Sequence, residues 1–192
     1  MTCIAAFVEG GRTYMGGDSA GIAGPGELTN RADEKVFYNG DFLLGFAGSF
    51  RLGQVLRHCF EPPRVPPQTH GIALERFMVK TFIDSLRNCL KLAGVASIDN
   101  GVESTDSSGS GILVGFRDHL WQIDSDYQVG SSREQLYSIG IGAGPARGAL
   151  KALNLAQPKW APEKRLHEAL QIAEGFSGGV CAPFTILSTP HC

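Results

Sequence analysis

The sequence has no long apolar run, no surplus of one charge and no cysteines at metal-ligand spacing, and each absence narrows what the chain can do. No window nears the ~18 consecutive apolar residues of a membrane-spanning helix. The opening residues MTCIAAFVEGG carry no basic stretch, and the apolar run Cys3–Val8 falls short of the ~7–15 residues of an export signal. Lys and Arg total 17 against 19 Asp and Glu, a net charge of -2, so the basic excess of a nucleic-acid binder is missing. Charged residues make up only 19%, below the ~25% of an average domain, which suggests that some surface is hidden in an oligomer. The five cysteines (Cys3, Cys59, Cys89, Cys181 and Cys192) are scattered, with no CxxC. His58-Cys59 and His191-Cys192 have no second pair to complete a metal site. These features read as reduced thiols in the cytoplasm, without a metal or organic cofactor.

What is present suits one domain over residues 1–192, long enough to bury a core without disulfides. Glycine is abundant, 25 residues, close to twice the ~7% of average chains. The glycines fall in pairs and short clusters between apolar runs, which points to tight turns or to backbone approaching a ligand. The run Gly140-Ile-Gly-Ala-Gly144 lacks the G-x-G-x-x-G spacing of a dinucleotide loop.

Alternation predicts strands over 2–8, 13–17, 35–38, 42–47, 111–116, 120–123, 136–141 and 180–187. Gly10-Gly11, Asn39-Gly40 and Asp118-His119 supply hairpin turns. Residues 20–32 and 95–108 read as loops. Ser49 is an N-cap for a helix through Leu52, Val55, Leu56 and Cys59, which the Pro-rich segment 61–68 ends. Residues 72–92, 147–156 and 163–173 are further helices. Strands, two helices, strands, two helices and a strand imply an α+β fold: two antiparallel sheets, each covered by a helix pair.

Thr2 is the candidate nucleophile. Removal of Met1 would give it a free α-amine, and a Thr hydroxyl is inert until a base takes its proton. An α-amine, with an ordinary pKa of ~7.7–8.0, is suited to that work. Such a centre also needs a cation, a carboxylate to orient it and an N–H aimed at the oxyanion. Lys35, Asp18 and Gly48 stand at strand ends where they could serve.

The segments TCIAAFVEGG, YMGGDSAG, EKVFYNGDFLLGFAGS, YSIGIGAG and EGFSGGV together resemble the successive motifs of proteasome β-type, HslV-like N-terminal-nucleophile hydrolases. The resemblance spans almost the whole chain, with residues 61–108 matched by helix pattern alone. It implies a four-layer αββα sandwich and a threonine endopeptidase. Thr2 would be the nucleophile, with Lys35 lowering the pKa of its amine and Asp18 pairing with Lys35. The Gly48 N–H would form the oxyanion hole, and Glu174 would order Ser177 and the Thr2 amine. Phe46 and Phe50 would border the first specificity pocket, favouring apolar residues.

The resemblance further implies homo-oligomeric rings or double rings acting on peptide or unfolded protein. It leaves room for an ATP-dependent unfoldase that no residue here specifies. Two positions depart from the family, the first being Glu174, where an Asp is usual. Ile141 stands between Gly140 and Gly142 where a hydrogen-bonding Ser is usual. That departure keeps a non-catalytic ring subunit open as an alternative, beside a small-molecule amidase of the same class.

Overall fold

The computed structural model describes residues 2–23, 27–99, 102–105 and 111–190. The readings that concern Met1, residues 106–108, His191 and Cys192 lie outside them.

The chain opens with β1 (Cys3–Glu9) and β2 (Arg12–Gly17), joined through Gly10 and Gly11, both at positive φ. Then come β3 (Ala20–Ala23), β4 (Glu27–Asn30), β5 (Val36–Asn39) and β6 (Phe42–Ala47). The first helix, α1 (Phe50–His58), is capped as expected: Ser49 Oγ accepts the Leu52 N–H at 3.1 Å. A long helical run follows: α2 (Ile72–Phe77), a π turn (Met78–Phe82) and α3 (Ile83–Leu92). After β7 (Ala96–Asp99) and β8 (Val102–Thr105) come β9 (Gly111–Phe116), β10 (His119–Asp124), β11 (Val129–Gly130) and β12 (Leu136–Gly140). The helices α4 (Ala143–Ala156) and α5 (Pro162–Phe176) precede the last strand, β13 (Thr185–Ser188).

Two antiparallel sheets carry the fold, in the orders β12-β1-β2-β13 and β11-β10-β9-β6-β5. Strand alternation divides the apolar residues among three packed layers. Along β6, Phe42, Leu44 and Phe46 face α1, α2 and α3, while Leu43 and Ala47 face the other sheet. Along β1, Cys3, Ala5 and Phe7 face α4 and α5, while Ile4 and Ala6 face inward. Helices, sheet, sheet, helices is therefore the layer order, as the pattern implies. Each fully buried Leu or Phe contributes about 1.5–3 kcal/mol, so the three layers hold one another in register. The sheets approach closely where side chains are absent: a Cβ at Gly45 would lie 2.6 Å from Met15 Sδ and 2.9 Å from Ile4 Cγ2.

Several expectations need correction. Residues 20–32 are not a loop, because Ala20–Ala23 and Glu27–Asn30 pair as a hairpin. Within 95–108, β7 and β8 form another. The strand Ala20–Ala23, AGIA, is too short and too small in its side chains for alternation to stand out, and every residue of β4 is exposed. The helix 72–92 is continuous but widens at Met78–Phe82. The tight turns fall one residue from the expected dipeptides, at Gly40-Asp41 and Arg117-Asp118. The final strand covers Thr185–Ser188 alone, and residues 180–184 are irregular, tied by their backbone to Ser19. No helix among the described residues is long and apolar enough to cross a membrane.

Candidate active site

Asp18 and Lys35 meet at the ends of two different sheets. Asp18 follows β2, and Lys35 immediately precedes β5. Lys35 Nζ lies 2.9 Å from Asp18 Oδ1, and both side chains are almost completely buried, at 1% and 0% exposure. The same Oδ1 accepts the Cys3 N–H at 2.8 Å, and Oδ2 accepts the Ala20 N–H at 2.9 Å. The Asp18 N–H in turn donates to the Cys3 carbonyl at 3.2 Å. This reciprocal pair locks Asp18 to the residue after Thr2, so the ammonium is held beneath the start of β1. Burial pushes the Lys35 pKa below its ordinary value, against the opposing pull of Asp18.

Thr2 is buried. Its carbonyl accepts the Gly142 N–H at 3.3 Å. Gly140, at φ +90°, passes so close that a Cβ there would lie 2.2 Å from the Thr2 oxygen. Only glycine combines that backbone angle with that approach. The turn after β12 therefore clamps Thr2 from the side opposite Asp18. Ile141 itself is 55% exposed, and the neighbouring Ser138 Oγ donates to the Ala143 carbonyl at 2.6 Å.

Gly48 occupies the junction of β6 and α1 at φ +135°. Two residues on, Phe50 is approached by two cations. The Arg31 guanidinium stands 4.1 Å from its ring centroid, and Lys35 Nζ 5.7 Å. Arg31 is oriented by a two-pronged bond to Asp33, at 2.8 and 2.6 Å. Phe46 meets Phe50 edge-on at 6.2 Å but is 3% exposed, with its ring laid against Gly53. The two aromatics share a cavity of only about 30 Å³ with Asp33, Glu34, Arg57 and His58.

Glu174 and Ser177 organise the loop after α5. Glu174 Oε1 accepts the Ala182 N–H at 2.9 Å, and the Ser177 carbonyl accepts the Val180 N–H at 3.0 Å. The Cys181 carbonyl then takes both the Ser19 N–H, at 3.0 Å, and the Ser19 hydroxyl, at 3.1 Å. This loop thus braces Ser19, the neighbour of Asp18, and Gly142 packs on Val180. Ser19, Arg31 and Cys181 were not legible as site residues. Ser19 was visible in GGDSAG, but its partner lies far along the chain. Below the site, burial pushes the Cys3 thiol up to about 12, with the Asp18 charge adding to the rise. Among the described residues, no group of three or more His, Cys, Asp or Glu could hold a metal ion.

No family model and no curated protein matches the chain. Solved structures do. "Thiobacillus denitrificans BPH" has 20% identity, 97% coverage of each chain and a TM-score of 0.76. HslV from Trypanosoma brucei has 19% identity, covering 99% of this chain and 100% of that one, at a TM-score of 0.66. Anbu, the ancestral beta-subunit from Yersinia bercovieri, has 13% identity over 98% of this chain and 82% of that one, at 0.62. With 97–99% of its length matched to these structures, the chain has the N-terminal-nucleophile hydrolase fold.

Proposed function

We propose that this chain is a threonine peptidase of proteasome-like type, acting with Thr2 as N-terminal nucleophile once Met1 is removed. The observation that carries this reading is the buried Asp18–Lys35 pair, bonded to the first residue of β1. A fully buried ammonium is costly, and a structural role could be filled more cheaply by an apolar pair. Held by Asp18 against the residue that follows Thr2, its positive charge would lower a Thr2 amine's affinity for a proton and keep it available as a base.

In the proposed reaction the amine takes the proton of Thr2 Oγ, and the oxygen attacks a peptide carbonyl. The Gly48 N–H stabilises the tetrahedral oxyanion, the amine returns the proton to the leaving amine, and water releases the acyl group. Asp18 orients Lys35, while Glu174 and Ser177 hold the bracing loop around Ser19 and Gly142. Phe50, with Phe46 behind it, would border the first specificity pocket. The subunits would assemble as homo-oligomeric rings in the cytoplasm, with an ATP-dependent unfoldase as a partner to be sought.

A structure of Thiobacillus denitrificans BPH contains epoxomicin, which makes an epoxyketone the natural probe. Intact mass after exposure to epoxomicin should show loss of Met1 and one adduct per chain. The adduct should disappear in Thr2→Ala. An unlabelled chain that retains Met1 would refute the reading. One observation favours a second reading, a non-catalytic ring subunit: Ile141 offers no hydrogen bond where the resemblance expects a Ser. A ring-sized assembly by gel filtration, with Met1 removed but no adduct, would favour it.

A further inference from the structure

Away from Thr2, two of the thiols face one open space. Cys59 is the residue that ends α1, and Cys89 lies midway along α3. Both line a cavity of about 570 Å³ with Arg51, Phe60, Glu61, Ser85, Leu92 and Ala93. Positions 85, 89, 92 and 93 recur at helical spacing, so one face of the α3 end lines the space together with the end of α1. Cys59 is exposed and Cys89 half-buried, and neither is engaged in a disulfide.

We propose that Cys59 and Cys89 form a dithiol modification site, open to small disulfides, that closes into an intramolecular disulfide joining the end of α1 to α3. The chemistry balances as thiol–disulfide exchange. The exposed Cys59 thiolate attacks one sulfur of a low-molecular-weight disulfide and expels the first small thiol. The Cys89 thiolate then attacks the Cys59 sulfur of the mixed disulfide and expels the second. The protein loses two hydrogens and two electrons, and the small disulfide is reduced to two thiols. Burial, with the nearby Cys59 charge, raises the Cys89 pKa, so Cys89 is the less ready to react first and the exposed Cys59 is the thiol that meets the small disulfide.

The other described cysteines differ in setting. Cys3 is closed inside the core, and Cys181 lies beside Ser19, with Sγ 3.7 Å from the Ser19 hydroxyl. The consequence for the fold is a covalent tie across the helical layer. The α1 helix begins at Phe50, which faces Lys35, so the bond would anchor the far end of the helix that carries one wall of the candidate site.

The test is incubation of the intact chain with glutathione disulfide, followed by mass spectrometry of non-reduced peptides. The expected product is a Cys59–Cys89 cross-linked peptide that a dithiol reductant releases. The melting temperature of the oxidised chain should rise by a few degrees and fall back on reduction. In Cys89→Ser the reaction should stop at a glutathione adduct on Cys59, and Cys59→Ser should leave Cys89 as the free thiol. A wild-type chain that keeps the adduct on Cys59 beside a free Cys89 overturns the proposal. So does an unreactive Cys59, or a cross-link that uses Cys181 or a second chain.

Discussion

Replacing Asp18 by Asn tests whether the centre of this molecule is an uncompensated strain on folding or a paired charge. The carboxylate takes three hydrogen bonds, from Lys35 Nζ, the Cys3 N–H and the Ala20 N–H, all between 2.8 and 2.9 Å, with no exposure to solvent. Removing one partner of a buried pair costs roughly 3–5 kcal/mol, because the other charge is stranded. Asn keeps the shape and one acceptor oxygen, so the expected loss lies near 3 kcal/mol in order of magnitude. Lys35→Met should cost a similar amount by stranding the carboxylate. The double variant leaves no buried charge and should be more stable than the sum of the single losses by about 2 kcal/mol. Against a total stability of about 5–15 kcal/mol these effects are large. Urea denaturation followed by circular dichroism, with an unchanged m-value, measures all four corners of the cycle.

A pH arm sharpens the test. Without Asp18, the Lys35 pKa falls further below its ordinary 10.5. The unfolded chain then binds more protons than the folded one, so stability rises with pH. Asp18→Asn should therefore recover part of its deficit as pH rises from neutrality toward 10.5. Additive single losses of under ~1 kcal/mol each would show a solvated pair, and the reasoning about Lys35 would be wrong.

Gly140→Ala should impair Thr2 more than it impairs the fold. A Cβ there would sit 2.2 Å from the Thr2 carbonyl at a φ of +90°. The expected cost is about 2–3 kcal/mol in stability, with loss of epoxomicin labelling in protein that remains folded. Normal labelling would mean that β12 moves freely past β1. The Cys3 thiol, raised to about 12 from an ordinary 9.0, stays neutral in the folded chain while the unfolded chain ionises. Its contribution is complete below pH 9.0 and should be lost above it, at about 1.4 kcal/mol per pH unit. The stability difference between wild type and Cys3→Ala, followed by denaturation from neutral to alkaline pH, should shrink accordingly. A difference independent of pH would place Cys3 in contact with solvent.

Much of the scaffold was legible because apolar alternation and helical spacing are local signals. The β6–Ser49–α1 passage is the clearest case: a six-residue apolar strand, a glycine and a capping hydroxyl appear in order, and the chain folds that way. The β3–β4 and β7–β8 hairpins were missed because strands of 4 residues are too short for alternation to stand out from a loop. Phe46 shows the reverse difficulty. Expected at a pocket wall, it lines a small cavity with Phe50 but is itself buried under α1 against Gly53, a contact set by the crossing of helix and sheet.

The sequence by itself determined the principal strands and helices, which follow from residue type and local spacing. Thr2, Asp18, Lys35 and Gly48 were candidates there, their roles implied by the family resemblance. Tertiary structure alone decided that Asp18 and Lys35 share a hydrogen bond in a closed environment, and that a glycine 138 positions from Thr2 clamps it. It also decided that Cys181, 162 residues away in the chain, braces Ser19 through its carbonyl. Separations of this kind carry no periodic signal. They arise when the packing of two sheets brings distant strand ends together, and only there do burial and charge acquire their chemical consequence.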